Sequence, residues 1–203
     1  MFKNNPNLKN IFLAGFLFSL HLALTSYVNS SFLSFFLKEK NVGLLYTLGF
    51  IVSIIALLLI PKILIKIGSY KFLLWSVGLN AISLLFLSIS KSIWLIIPIF
   101  VSYLTLNTII IFSLDELLLI FSKNYGVGKI RGLYIAIISA AWVLAQSVSG
   151  TILNNFSFSA LYFISFVVMA LFFIVSFFFL RKSPDPNYDR TPISESLKIF
   201  FKI

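Results

Sequence analysis

The chain has no cysteine and one histidine, His21. The first absence excludes disulfides and thiolate metal sites. The second excludes a His-Glu-x-x-His zinc centre, which needs two imidazoles one helical turn apart. Acids are scarce as well, with six Asp and Glu against sixteen Lys and Arg, and only 11% of residues are charged, where soluble domains carry about 25%. No phosphate-cradling glycine loop is present. The nearest approach to a Gly-x-Ser-x-Gly nucleophile, QSVSG at 146–150, lacks its first glycine. The chain therefore reads as a non-enzyme, and nothing in its pattern asks for a cofactor or a metal.

What the chain has in quantity is apolar surface. Hydrophobic residues make up 60% of it and mean hydropathy is +1.03, which places it in a membrane. A hydrocarbon core of about 30 Å takes roughly 20 helical residues to cross. Apolar runs of that order lie near 11–36, 43–65, 71–90, 93–114, 132–153 and 158–180. They predict an all-α integral membrane protein with a six-span bundle over 1–180. The first run is longer than a secretory signal's apolar core and ends in Lys38-Glu39-Lys40 without a small-residue cleavage pattern, so it is expected to be retained as the first span.

The net charge of +10 raises the question of nucleic acid, but orientation in membranes is set by Lys and Arg in short loops. With the N-terminus inside, thirteen of the sixteen bases fall on the inner side: Lys3, Lys9, Lys62, Lys66, Lys71, Lys123, Lys129, Arg131, Arg181, Lys182, Arg190, Lys198 and Lys202. Only Lys38, Lys40 and Lys91 remain outside. This asymmetry predicts a multi-pass protein of the cell (inner or plasma) membrane with both termini cytoplasmic. The basic partner is anionic lipid, and no nucleic acid is implied.

The connections are short: 37–42 and 154–157 outside, the Ser90-Lys91-Ser92 turn outside, and a Lys66 to Lys71 turn inside centred on Gly68. Short connections set sequential helices antiparallel and adjacent, which gives one bundle. The longest inner connection holds Asp115 and Glu116, with Leu117 to Phe121 continuing the fourth helix before KNYGVGK turns back towards Arg131 and Gly132. These acids either transfer protons or bind facing bases such as Lys66, Lys71 or Arg131; surface charges usually do the second. Asn155-Phe156-Ser157 fits a glycosylation pattern that is short enough to arise by chance. From 181 to 203 the character changes. Pro184, Pro186 and Pro192 interrupt regular structure, and ISESLKIFFKI then carries Ile193, Leu197, Phe200 and Phe201 on one side of an expected short amphipathic surface helix.

Polar side chains at membrane depth are costly and tend to face a bundle interior. The first span carries His21, Thr25 and Asn29 at i, i+4 and i+8, hence on one helical face. Tyr103 and Asn107 form a similar pair in the fourth, and Ser139, Trp142 and Gln146 a similar set in the fifth. His21 either couples a proton or stays neutral and hydrogen-bonded. Asn29, Asn107 and Gln146 are either substrate contacts or interhelical links of about 0.6 kcal/mol each. Small residues at Gly43, Gly49 and Ser53 suit close packing in the second span. The phenylalanines of the sixth, Phe163, Phe166, Phe172, Phe173, Phe177, Phe178 and Phe179, read as lipid-facing bulk.

Six spans with the N-terminus inside, a Gly-centred basic turn after the second, an acid ending the fourth and Arg131-Gly132 opening the fifth together resemble the N-terminal half of a major facilitator superfamily transporter. The family's loop signature, loosely Gly-x-Leu-x-Asp-Arg-x-Gly-Arg-Arg, corresponds here to Pro61 through Tyr70 with Lys71 following; Lys66 and Gly68 match, and Ile65 stands where the family has an acid. The Gly-Pro signature of the antiporter branch is missing from the fifth span.

The resemblance implies two inverted three-helix repeats and alternating access around a midplane site between two six-helix halves. It turns His21, Thr25, Asn29, Tyr103, Asn107, Trp142 and Gln146 towards a substrate path. It makes Lys66, Gly68, Lys71, Asp115, Arg131 and Gly132 candidates for an inner gate. It also implies a small-molecule solute, a coupling proton or ion, and a missing C-terminal or partner half, so the 203 residues are expected to be a fragment. The competing expectation is a membrane scaffold or accessory subunit without transport. Alanine at His21 or Asn107, corrected for stability, abolishes uptake or efflux by a transporter and leaves a scaffold's function intact.

Overall fold

The computed structural model describes residues 6–122 and 126–181; the expected surface helix at 193–201 lies outside them. Seven helices are present among the described residues: α1 (Pro6–Ser26), α2 (Asn29–Ser34), α3 (Glu39–Ile67), α4 (Ser69–Ile89), α5 (Ile93–Ser122), α6 (Val127–Asn155) and α7 (Phe158–Phe179). Six are long and apolar enough to cross a membrane. Helix is the expected state, because every peptide group within it finds its partner in the same segment, whereas hydrocarbon offers none. At 29, 30 and 29 residues, α3, α5 and α6 are each about 45 Å long and exceed the hydrocarbon thickness, so they tilt or project from it.

The first span departs from expectation. A continuous run over 11–36 is replaced by α1, a turn at Tyr27-Val28 and the short α2. The cause is local. Thr25 Oγ1 lies 3.2 and 3.1 Å from the carbonyls of His21 and Leu22, and Ser26 Oγ donates to Leu22 O at 2.7 Å. Hydroxyls that return to the preceding turn bend helices, and here the backbone tightens into a Val28 N–H to Thr25 O bond of 3.0 Å.

The other junctions are economical. Gly68 alone separates α3 from α4, with φ 80° and ψ 155°, a conformation open to glycine and strained for any L side chain. Pro61 and Pro98 sit inside α3 and α5 on exposed faces.

Packing follows a repeating scheme. Helix α1 packs on α6, α7 and α5; α5 packs on α3, α4 and α1; and α4 packs on α7. Exchanging the first three spans for the last three, with α1 and α2 counted as one, leaves this scheme unchanged. Three crossings separate α1 from α5, so the two run antiparallel and the halves of the bundle are inverted repeats of each other. Burial follows this plan only in part: α3 and α6 match at 22% each, but the α1 span is 61% buried against 33% for its counterpart α5.

Two glycines let helices approach. A Cβ on Gly15 of α1 would lie 2.3 Å from the Tyr134 ring of α6, and one on Gly49 of α3 would lie 2.6 Å from Leu104 of α5. Gly43 has open space and plays no such part. Helix α7 is less peripheral than its phenylalanines suggested: Phe172 is fully buried, its ring 6.1 Å from that of Phe18, while Phe163, Phe177, Phe178 and Phe179 are exposed. Packing of α7 against both α1 and α4 takes Phe172 out of lipid.

Gly15→Ala is expected to lower stability by about 1 kcal/mol, the low end of the overpacking range because the Tyr134 ring tip can swing aside. Tyr134→Ala in the same chain should remove that loss, and Gly43→Ala should cause none. Thermal unfolding in detergent compares the three.

Candidate functional site

The polar residues of the predicted stripes converge behind the surface. His21, Thr25, Asn29, Tyr103 and Asn107 are each 5% exposed or less, and Asn80 of α4 and Tyr162 of α7, which the stripes did not include, join them. Thr25 Oγ1 lies 2.7 Å from the Tyr103 hydroxyl. The single threonine hydrogen points to a backbone carbonyl, so Tyr103 donates and links α1 to α5. Asn80 Nδ2 donates to Asn107 Oδ1 at 2.9 Å, joining α4 to α5. The Tyr162 hydroxyl donates to Asn29 Oδ1 at 2.7 Å, joining α7 to the first span.

These bonds obey the symmetry of the fold. The third-to-fourth span bond of Asn80 becomes the sixth-to-first span bond of Tyr162 when the repeats are exchanged, and Thr25–Tyr103 sits between the two central spans. The signal for Asn80 was visible as an amide inside the apolar run SVGLNAISLL; Tyr162 gave none, being one aromatic among many.

His21 belongs to this core. Its Nδ1 faces the Phe18 carbonyl, an acceptor only, so Nδ1 carries the proton in the neutral ring. Its face meets Tyr103 edge-on at 6.4 Å, and Asn107 lies beside it. Nε2 of His21, Nδ2 of Asn107 and Oδ1 of Asn80 have no hydrogen-bond partner among the described residues. The first two are an acceptor and a donor.

In front of the core is a groove of about 600 Å³ walled by four helices. Helix α1 supplies Phe18, Ser19 and Leu22; α3 supplies Leu57; α5 supplies Thr108, Ile111, Phe112, Leu114 and Asp115; and α6 supplies Arg131, Tyr134, Ile135, Ile138 and Trp142. At one end Arg131 donates from Nη2 to both carboxylate oxygens of Asp115 at 2.9 and 3.0 Å. Next to it Glu116 accepts from Ser69 Oγ at 3.1 Å, so the two adjacent acids engage opposite neighbours, α6 and α4. Towards the other end, Trp142 stands edge-on to Tyr27 at 6.3 Å and Gln146 Nε2 donates to the Tyr27 hydroxyl at 3.1 Å, bordering a second hollow of about 440 Å³.

The remaining candidates lie apart. Lys66 and Lys71 are exposed on either side of Gly68, and Gly132 is exposed with open space above it. No cluster of three metal-ligating side chains occurs among the described residues.

A helical membrane bundle of inverted repeats with an open groove across its central helices is the architecture of a membrane transporter. Residues 11–202, nearly the whole chain, match the profile of the Major Facilitator Superfamily, and the chain belongs to that family of multi-pass membrane transporters. No individual curated protein matches it.

Substituting Asn80 by Leu strands the Asn107 carbonyl oxygen and should lower stability by about 1 kcal/mol. The Asn80→Leu/Asn107→Leu pair should lose less than the sum of the single variants, by a coupling of about 0.6 kcal/mol typical of hydrogen bonds between membrane helices. A double-mutant cycle on unfolding in mixed micelles measures it.

Proposed function

We propose that this chain is the N-terminal half of a secondary active transporter that moves a small solute across the cell membrane by alternating access. Both termini lie on the cytoplasmic side, and a second six-helix half, on the same polypeptide or a partner, closes the path. The groove walled by α1, α3, α5 and α6 carries this reading. It is concave, runs along α6 from Trp142 to Arg131 and ends at a charge pair, as half of a midplane path would. A proton or ion supplies the driving force in this scheme.

Within it the candidate residues divide by position. Trp142, on α6, meets the solute, and Gln146, one turn further along, borders the second hollow. Asp115 and Arg131 form the inner gate, with Lys66, Gly68, Lys71 and Gly132 shaping the cytoplasmic rim. His21, Thr25, Asn29, Tyr103 and Asn107 act from behind the wall by holding α1 and α5 in register. The gate pair is half exposed, its side chains 50% and 40% accessible, so it contributes little to stability; an exposed pair is worth about 0.2–1 kcal/mol. Its use is to open and close.

Asp115→Arg is expected to stop uptake into membrane vesicles while leaving the folded protein in the membrane, and the swap Asp115→Arg/Arg131→Asp to restore a substantial part of it. A swap without recovery removes the gate from the mechanism. An antibody to the N-terminal segment then reports the native product: a band at roughly twice 23.0 kDa places the second half on the same chain, and a band near 23.0 kDa directs the search to a partner by cross-linking.

A further inference from the structure

Resting on the transporter reading, we propose that the solute is an amphipathic small molecule with a largely apolar, uncharged body, held against Phe18, Leu22, Ile111, Ile135, Ile138 and Trp142. The groove that those side chains line is about 600 Å³, within the roughly 300–1,000 Å³ of small-molecule sites.

The inference starts from where the polar groups went. His21, Thr25, Asn29, Tyr103 and Asn107 are buried in the core behind the groove, where their hydrogen bonds run to one another, to Asn80 and Tyr162, or to backbone. None of the five lines the groove. Three hydroxyl side chains remain on the wall, with the indole N–H of Trp142: Ser19, only 6% exposed, Thr108, whose hydrogen is directed at the Leu104 carbonyl at 3.1 Å, and Tyr134, whose ring tip packs against Gly15.

A sugar or a free amino acid entering here would give up hydration that the wall does not replace, whereas an apolar body loses nothing by the exchange. Charge complementarity points the same way. Among the described residues the charges lining the groove are Asp115 and Arg131, and they are joined by two hydrogen bonds, so a net charge on the solute meets no free counter-charge there.

The chain contains no native thiol, which suits a protection experiment. The protein is expressed from its full reading frame in membrane vesicles with Thr108→Cys in the groove, and separately with Ser31→Cys at the second hollow as control; Ile138→Cys repeats the groove measurement should Thr108→Cys fold poorly. Alkylation by N-ethylmaleimide is timed with N-phenyl-1-naphthylamine as the amphipathic probe, and with glucose, alanine or inorganic phosphate.

The expected result is that the naphthylamine slows alkylation of the groove thiol about fivefold at about four times its dissociation constant, where one-site binding leaves about a fifth of the grooves free. The control thiol and the hydrophilic solutes should show no such effect. Equal slowing at both thiols means partition into the bilayer and overturns the proposal. Protection by a hydrophilic solute alone overturns the solute class and leaves the transporter reading standing. A groove thiol that is unreactive without any solute means that a lipid chain, a second copy or the other half fills the groove, and overturns the groove as the site. A reactive groove thiol that no solute protects overturns the proposal too, and the charge-swap uptake measurement then decides separately whether the transporter reading falls with it.

Discussion

Hydrocarbon offers no hydrogen-bond partners, and the architecture of this bundle depends on where its few intramembrane polar atoms find theirs. Thr25 meets Tyr103 between the two central spans, while Asn80–Asn107 and Tyr162–Asn29 fasten α4 and α7 to them, two pairs of spans that exchange with the repeats. Each bond is modest alone, about 0.6 kcal/mol in membranes. Their combined effect is on geometry, because bonded donors and acceptors fix the rotation of α1 and α5 about their axes. That rotation decides which side chains are left to line the groove.

The groove is apolar for the same reason that the core is polar. With hydroxyl, amide and imidazole engaged in the core on α1 and α5, the side chains that those helices leave to the groove are largely apolar, among them Phe18, Leu22, Ile111 and Phe112. The flanking helices α3 and α6 carry polar contacts as well, Ser53–Thr105, Gln146–Tyr27 and Arg131–Asp115, but these lie apart from the His21–Tyr103 core, and both helices are also held by van der Waals contact at Gly15 and Gly49. Contacts of that kind keep helices close while demanding less angular precision than hydrogen bonds. The bundle thus combines a pinned centre of α1, α4, α5 and α7 with flanks attached largely through side-chain packing.

At the Asp115 end of the bundle the physics is different, since water screens exposed charge there. Asp115 and Glu116 are neighbours on one helix, yet successive helical residues point about 100° apart. One therefore reaches Arg131 on α6 and the other Ser69 at the start of α4, so the end of α5 is moored on two sides by groups that can release in water. The sequence presented this pair as a polar island and left open whether it moved protons or bound bases; the observed partner of Asp115 is a base.

Six spans, their order, the Gly68 turn and the continuation of the fourth helix past Asp115 were all legible in the sequence, because hydropathy and turn chemistry are properties of short segments. So was the clustering of His21, Thr25 and Asn29 on one face, which is a matter of helical spacing. The direction in which that face points was not, since it depends on contacts with Asn80, Tyr103 and Tyr162, up to 133 residues away in the chain. The burial of Phe172 has the same character, whereas the break at Tyr27-Val28 has a local cause and Arg131 was one of three bases that the sequence offered to Asp115. Sequence alone determined a six-span membrane bundle with its charges at the ends. Only the tertiary structure decided that its polar stripes face inward and its open groove is apolar, because inter-helix hydrogen bonding, not local pattern, sets how each helix is turned.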